Sequence, residues 1–436
     1  MHAKYPETIE LVNEYKDLYD SNISRYTESL NRCTKALQHK PIDRIPVWQI
    51  SQSSPFPRTE IFIDPEKNLM AALTKCTGSM KIASDYVPFL DPFEGVTIIS
   101  EAFGCRTMYP DHGDPTVVEP IIKRAEDVYS LKRPTLKHPV FERIFATHQL
   151  WGEITGWEIP IGTTDPQSPL DVVSLMWETN NFYLSLYDNP KEIHFLLDMV
   201  TDVFIEFYAE QLKRIKNPAF PIHLFPLVSA DDGIAISEDQ MVNMSPGMYE
   251  EFGLKYLNKI SDAFGGIYFH SCGNFERFLE QVFATKNLRA VNGHLSPKEL
   301  NPQMIGTILD KGIGLFLGIS DRTIGWENPA WEDDRILDMY NSYYLPSALN
   351  YSEGTGIVLT GYGSYRGYFD TETSQEEGQV IDGRGRPVSN DPLINVPAEV
   401  KNQNFHNILK RIDQLKTNKD SGIDILDTEK YRFFSR

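Results

Sequence analysis

Cysteine is scarce in this chain: four residues, Cys33, Cys76, Cys105 and Cys272, are scattered over 436 positions. That scatter excludes the disulfide framework of a small secreted module and makes a reducing, cytoplasmic setting the expectation. Positive charge is also in deficit, since 42 Lys and Arg face 61 Asp and Glu, for a net charge of −19. An excess of that sign argues against nucleic acid or an anionic membrane as partner, while leaving the substrate open. No apolar run approaches the ~18 residues that suggest a membrane span. The first twenty residues, MHAKYPETIELVNEYKDLYD, lack the apolar core of a secretion signal. Internal repeats and low-complexity tracts are missing too. What is present is 41% apolar and 12% aromatic residues, enough to fill one large domain or two ordinary ones.

Residues 1–40 read as a helical extension, with helices before and after Ile23 and a stop at Pro41. From there to about residue 416 short apolar runs alternate with helical patterns, which implies a parallel sheet. Strands are expected in DRIPVWQIS, in the run ending at Asp91, in EGVTIISEAFGCRTMYP, PTVVEPII, HLFPLVSADDG, GGIYFH, RAVNGH, GIGLFLGIS and GIVLTGYG. Ser168-Pro169 has the form of a helix start, and Pro190 opens a long helix. There Ile193, Leu196, Leu197, Val200, Val203, Phe204 and Phe207 keep a core-facing stripe. A doubly wound sheet and a barrel both satisfy the alternation. Ionisable residues fall repeatedly after the apolar runs, which favours a (β/α)8 TIM barrel, an α/β fold whose strand ends share one mouth. Residues 370–395 read as a polar surface insertion or lid. Residues 417–436 read as a C-terminal arm whose Tyr431, Phe433 and Phe434 suit packing on a partner, a homodimer for instance.

The stretch Gly265–Asn274, GGIYFHSCGN, carries the sharpest chemistry. On a strand His270 and Cys272, two apart, face the same way, and an imidazole beside a thiolate is half of a zinc site. The dull alternative is a core histidine next to a buried cysteine. His294 closes the following strand and either completes a metal site or serves as a loop or supporting residue. Asp91, Glu94, Asp231 and Asp232 are carboxylates expected at the same rim, each alone more often a cap than a catalyst. Cys33, Cys76 and Cys105 read as small buried hydrophobes. GTGIVLTGYGSYRG is glycine-rich but has no phosphate-loop lysine in register.

Several blocks together resemble the uroporphyrinogen decarboxylase superfamily: KALQHKPIDRIPVWQ, SEAFGCRTMYPDHGDPTVVEPIIKRAEDVYSLKRP, PQSPLDVVSLMWETNNFYLSLYDNPKEIHFLLDMVTDVFIEF, SADDG, SPGMYEEFGLKYLNKI and HSCGN. They are most similar to its methyltransferase branch, whose members move methyl groups between corrinoids and thiols or other acceptors. The resemblance covers about residues 30–365. It implies a TIM barrel with its site at the C-terminal mouth, a corrinoid held by a partner protein or free, and zinc held by the H-x-C pair, here His270 and Cys272. The branch's third ligand is a cysteine in a G-C-G setting; here that stretch is Gly361-Tyr362-Gly363, which leaves the place to another group such as His294. Decarboxylases of the superfamily grip their substrate with arginines after the first strand, where this chain has Trp48-Gln49-Ile50-Ser51-Gln52-Ser53-Ser54 and no Arg before Arg58. Their catalytic aspartate falls near Asp91. Multivalent carboxylate recognition wants guanidinium forks, so methyl transfer is the favoured expectation. In it Asp231 or Asp232 orients the substrate, and Trp48, Gln49, Glu94 and Tyr362 line its site. A porphyrinogen decarboxylase working through Asp91, and a barrel that only binds a corrinoid or small ligand, are the alternatives.

Overall fold

Helices begin where the chain places its prolines. In this computed structural model α1 (Pro6–Leu37), α2 (Pro65–Met80), α3 (Pro139–Thr155), α4 (Pro169–Met176) and α5 (Pro190–Arg214) all start on one. Proline suits the first helical position because its φ is already helical and its missing N–H is one the helix leaves unpaired. Side chains complete the starts: Asp64 accepts the N–H groups of Glu66 and Lys67, and Ser168 Oγ accepts that of Asp171. The structure describes residues 3–50, 54–110, 114–221, 225–229, 233–293, 302–317, 345–352, 354–360, 380–381, 387–388 and 398–421. The helices expected before and after Ile23 form one rod, α1, bent at Asn22 and packed along α2.

Six strands run parallel: β1 (Val47–Trp48), β2 (Ile234–Ser237), β3 (Ile267–Ser271), β4 (Leu288–Gly293), β5 (Gly314–Leu317) and β6 (Ile357–Thr360). Their order is β1-β6-β5-β4-β3-β2. The wall continues past β1 through short backbone links. Asp85 N–H donates to Val47 O, Leu90 N–H to Pro160 O, Ile161 N–H to Asn217 O, and Ser168 N–H returns to Ser237 O of β2, all at 2.8–2.9 Å. With the segments at Leu90 and Ile161 as the two remaining staves, this is the (β/α)8 barrel fold.

Alternation along the strands sorts side chains into two cores. Trp48, Ala235, Tyr268, Ala290, Phe316 and Val358 pack inside the barrel with Leu90 and Ile161. Val47, Ile234, Ile236, Ile267, Phe269, Val291, Leu315 and Leu359 point out to the helices. The seven stripe residues of α5 are all buried in that outer layer. Each contributes roughly 1.5–3 kcal/mol of apolar burial.

Two expected strands differ. In EGVTIISEAFGCRTMYP the first part, Ile98–Ala102, forms a helix that buries Ile98, Ile99 and Ala102, so packing overrides β-branched propensity there, and the strand of that stretch is Arg106–Met108. Beyond it Arg106–Met108 and Thr116–Glu119 do pair as an antiparallel hairpin. The strand expected to end at Asp231 begins instead after Gly233, whose φ of 113° disfavours a side chain and where an added Cβ would crowd Gly266 O at 3.0 Å. A further helix, α6 (Lys255–Phe264), closes on Gly265 in the left-handed conformation and feeds β3 directly. At the C-terminal end α7 (Ala398–Asp420) runs past residue 416, where the arm was expected to begin. Within 370–395 the described residues are one antiparallel pair, Val380–Ile381 with Pro387–Val388. Among the described residues no helix is long and apolar enough to cross a membrane.

Asp85, fully buried beneath β1, gathers charge from two elements. Its carboxylate accepts Arg32 Nη1 at 2.6 Å, Arg44 Nη1 and Nη2 at 2.6 and 2.9 Å, and the Val47 N–H at 2.7 Å. This ties α1, the entry to β1 and the chain before Leu90 into one knot.

Candidate metal centre at the barrel mouth

Register places the site. Ser237 pairs with His270 and His270 with Asn292, which in turn is level with Phe316, so these residues form one row across four inward-facing strand positions. Two residues further along, past the strand ends, Asp239 and Cys272 stand above that row. One ligand atom from each of Asp239, His270 and Cys272 lies within 4.8 Å of the others. His270 is buried; Asp239 and Cys272 are half-buried.

The row also sets the imidazole's tautomer. Asn292 Nδ2 donates to Phe316 O at 3.0 Å, which turns Asn292 Oδ1 toward His270. His270 Nδ1 sits 2.6 Å from that oxygen and must carry the proton. Its Nε2 lone pair then faces Cys272 Sγ at 3.3 Å. Cys272 is held in turn by its backbone N–H, which donates to Asp239 Oδ1 at 2.6 Å.

The donor set fits zinc. Carboxylate oxygen, neutral imidazole nitrogen and thiolate sulfur are its ordinary ligands, and three of them with a fourth place open is the catalytic pattern. Two such ligands on a tetrahedral ion stand about 3.5 Å apart, close to the imidazole–sulfur distance found here. The other cysteines are different: Cys33, Cys76 and Cys105 are buried, and burial pushes the thiols of Cys76 and Cys105 up to about 12 and about 11.

Behind Asp239, on the outer side of the wall, two more carboxylates are buried. Glu238 Oε1 accepts Ser168 Oγ at 2.9 Å, and Asp171 accepts the N–H groups of Asp239 and Gln240. Burial pushes both carboxyls up, and nearby negative charge adds to the rise, from Glu238 and Asp239 at Asp171 and from Asp239 at Glu238. Inside the mouth Asp165 Oδ2 accepts Ser237 Oγ at 2.9 Å.

The other residues singled out from the sequence fall in several places. Trp48 packs inside the barrel against Tyr86 and Phe316, and its Nε1, like Gln49 Oε1, is buried without a hydrogen-bond partner among the described residues. Asp91 is half-buried and faces Lys75 Nζ at 3.4 Å. Glu94 is buried near Asn68 Nδ2 (3.4 Å) and Arg143 Nε (3.9 Å). Asp231, Asp232, His294 and Tyr362 lie outside the described residues. Asp239 was not singled out. Its signal was the alternation in IAISED, where Ala235, Ser237 and Asp239 share a face, once the strand is started after Gly233.

Burial pushes the Glu94 carboxyl up to about 7 from 4.5, with Arg143 pulling the other way. The folded state thus holds a proton that the unfolded chain releases. Stability from this group is complete below pH 4.5 and is lost as pH rises through about 7. At 1.36 kcal/mol per pH unit the interval is worth on the order of 3 kcal/mol. Urea unfolding of wild type and Glu94→Gln should therefore diverge between pH 5 and 8, the variant gaining relative stability as pH rises. Parallel curves would refute this.

A parallel barrel that brings three side chains able to ligate a metal together at its C-terminal mouth has them at the end where such barrels carry their sites. The family described as Uroporphyrinogen decarboxylase (URO-D) matches residues 90–292. The methylcobamide:CoM methyltransferase MtbA of Methanosarcina acetivorans is 27% identical over 267 residues, which are 58% of this chain and 72% of that protein. A uroporphyrinogen decarboxylase of Pseudomonas aeruginosa is 23% identical over 247 residues, 53% of this chain and 64% of its own length. Among solved structures, a methyltransferase from Methanosarcina mazei superposes with a TM-score of 0.59 at 17% identity, covering 87% of this chain and 99% of that one, a likeness of fold. The chain is thus similar over residues 90–292 to the uroporphyrinogen decarboxylase family, and its relatives include both a methyltransferase and decarboxylases of that superfamily, as its sequence blocks led one to expect.

Proposed function

We propose that this protein is a methyltransferase that moves a methyl group between a corrinoid, on a partner protein or free, and a small thiol, methoxy or methylamine compound. The convergence of Asp239, His270 and Cys272 within 4.8 Å carries the reading. Its similarity to a methylcobamide:CoM methyltransferase supports it. These three side chains would hold zinc, which when bound stabilises a thiol or hydroxyl acceptor as its anion, the better nucleophile. The chain's own contribution is to keep the His270 Nε2 lone pair aimed at the centre through Asn292, and to fix Cys272 through its N–H bond to Asp239.

A decarboxylase of porphyrinogens fits less well. The arginine nearest after β1, Arg58, is buried, stacks on Phe93 at 5.1 Å and lies 3.4 Å from Asp114, so it is engaged within the fold. The purified protein should contain about one zinc per chain and should demethylate methylcobalamin in the presence of a thiol, followed by the change in corrinoid absorbance. Metal-free protein that turns over uroporphyrinogen would instead establish the decarboxylase. Metal-free protein that binds a corrinoid without turnover would establish a binding barrel.

A further inference from the structure

Asp239 stands on a loop, where an aspartate side chain ordinarily turns to water. Here it turns inward, and the cause lies behind it. Asp171, 2% exposed on the first turn of α4, accepts the Asp239 N–H with both carboxylate oxygens (3.1 and 2.9 Å) and the Gln240 N–H with one (2.7 Å). Two successive N–H groups gripped by one carboxylate fix the torsions between them, which are those of Asp239 (φ −91°, ψ −26°). Asp171 is itself anchored, because Ser168 Oγ accepts its N–H at 3.0 Å and donates to Glu238 Oε1. Helix α4 and the exit of β2 are thus bolted together from outside the wall. The side chain that emerges inside is the one whose Oδ1 receives the Cys272 N–H.

We infer that Asp171 is the positioning residue of the metal centre: by holding the backbone of Asp239 and Gln240 from behind the barrel wall, it aims the Asp239 carboxylate at the ion shared with His270 and Cys272. The inference rests on the zinc reading above. It makes Asp171 act through Asp239 alone, and that is testable.

Zinc affinity is measured by competition with chromophoric chelators of graded strength, on protein whose metal-free fold is checked by circular dichroism. Asp171→Asn, which keeps one acceptor oxygen but faces an N–H with an NH2 group, should weaken zinc binding about 10- to 100-fold, the range for residues that support metal ligands. In an Asp239→Ala background the same change should weaken it less than about twofold, because its route to the ion is gone. Cobalt bound in place of zinc should show an altered visible spectrum in the single variant. Asp171→Ser, a smaller acceptor, gives the same reading if the Asn variant is insoluble. An unchanged affinity in the single variant, or an equal loss in both backgrounds, overturns the inference. Failure of both variants to fold without metal also overturns it, by making Asp171 a folding residue. Wild-type protein that binds no zinc would instead remove the functional reading itself.

Discussion

Asp85→Ala should cost about 3–5 kcal/mol, the largest single loss of stability that any substitution described here produces. Domains commonly have 5–15 kcal/mol in total. The cost lies in what is left behind. Removing the carboxylate leaves the Arg32 and Arg44 guanidiniums side by side and strands the Val47 N–H at the start of β1. Arg32 keeps Asp43 as a partner on its exposed side, with bonds of 2.7 and 2.9 Å, while Arg44 loses both of its bonds to a carboxylate. A half-buried cation left without its counter-charge costs more than the pair contributed. Asp85→Asn, which preserves shape and one acceptor, should lose distinctly less. Chemical denaturation midpoints of the three proteins decide it. A loss below 1 kcal/mol for the alanine variant would show that water reaches the pocket and that the knot is dispensable.

Removing one zinc ligand should have the largest effect on the metal. Apparent binding free energies of protein zinc sites, about 10 kcal/mol or more at neutral pH, spread over three ligands give about 3 kcal/mol each, or more than a hundredfold in affinity. Cys272→Ala and Asp239→Ala should both leave the column with little zinc and regain it only at excess metal. The two are not equivalent. Cys272→Ala removes a sulfur and keeps the backbone N–H that Asp239 Oδ1 accepts, whereas Asp239→Ala also strands that N–H. The aspartate variant should therefore lose thermal stability even without metal, and the cysteine variant should not. Metal content by mass spectrometry and apo-protein melting separate the two effects. Full zinc retention in Asp239→Ala would return the third place to another group, His294 among them.

Much of the fold was legible because it depends on local pattern. IYFHS reads as a strand from its apolar run, and the spacing of His270 and Cys272 alone brings them to one face. The stripe of α5 and the Ser168-Pro169 start are equally local. What escaped is set by partners distant in sequence. FPLV, before the Asp pair, and IAIS, after it, are both short apolar runs. Only the ladder with β3, Ile236 beside Phe269 and Ser237 beside His270, makes the second one the stave. Choosing the first hid Asp239. The surroundings of Glu94 were hidden for the same reason, since Asn68 and Arg143 come from helices on either side of it in the chain. The run TII in EGVTIISEAF forms a helix because its neighbours in the outer layer ask for one buried side, a demand that no single stretch can announce.

The prolines that open the helices carry a consequence for the disordered chain. Each removes backbone freedom before folding starts, at a site where the native torsion already matches and no N–H bond is given up. The five helices α1 to α5 thereby draw part of their advantage, roughly 0.4–1 kcal/mol apiece, from the poverty of the alternatives rather than from any contact in the native molecule. A barrel whose strands are mostly four to six residues long is then helped by an outer shell whose boundaries are marked before the wall is assembled.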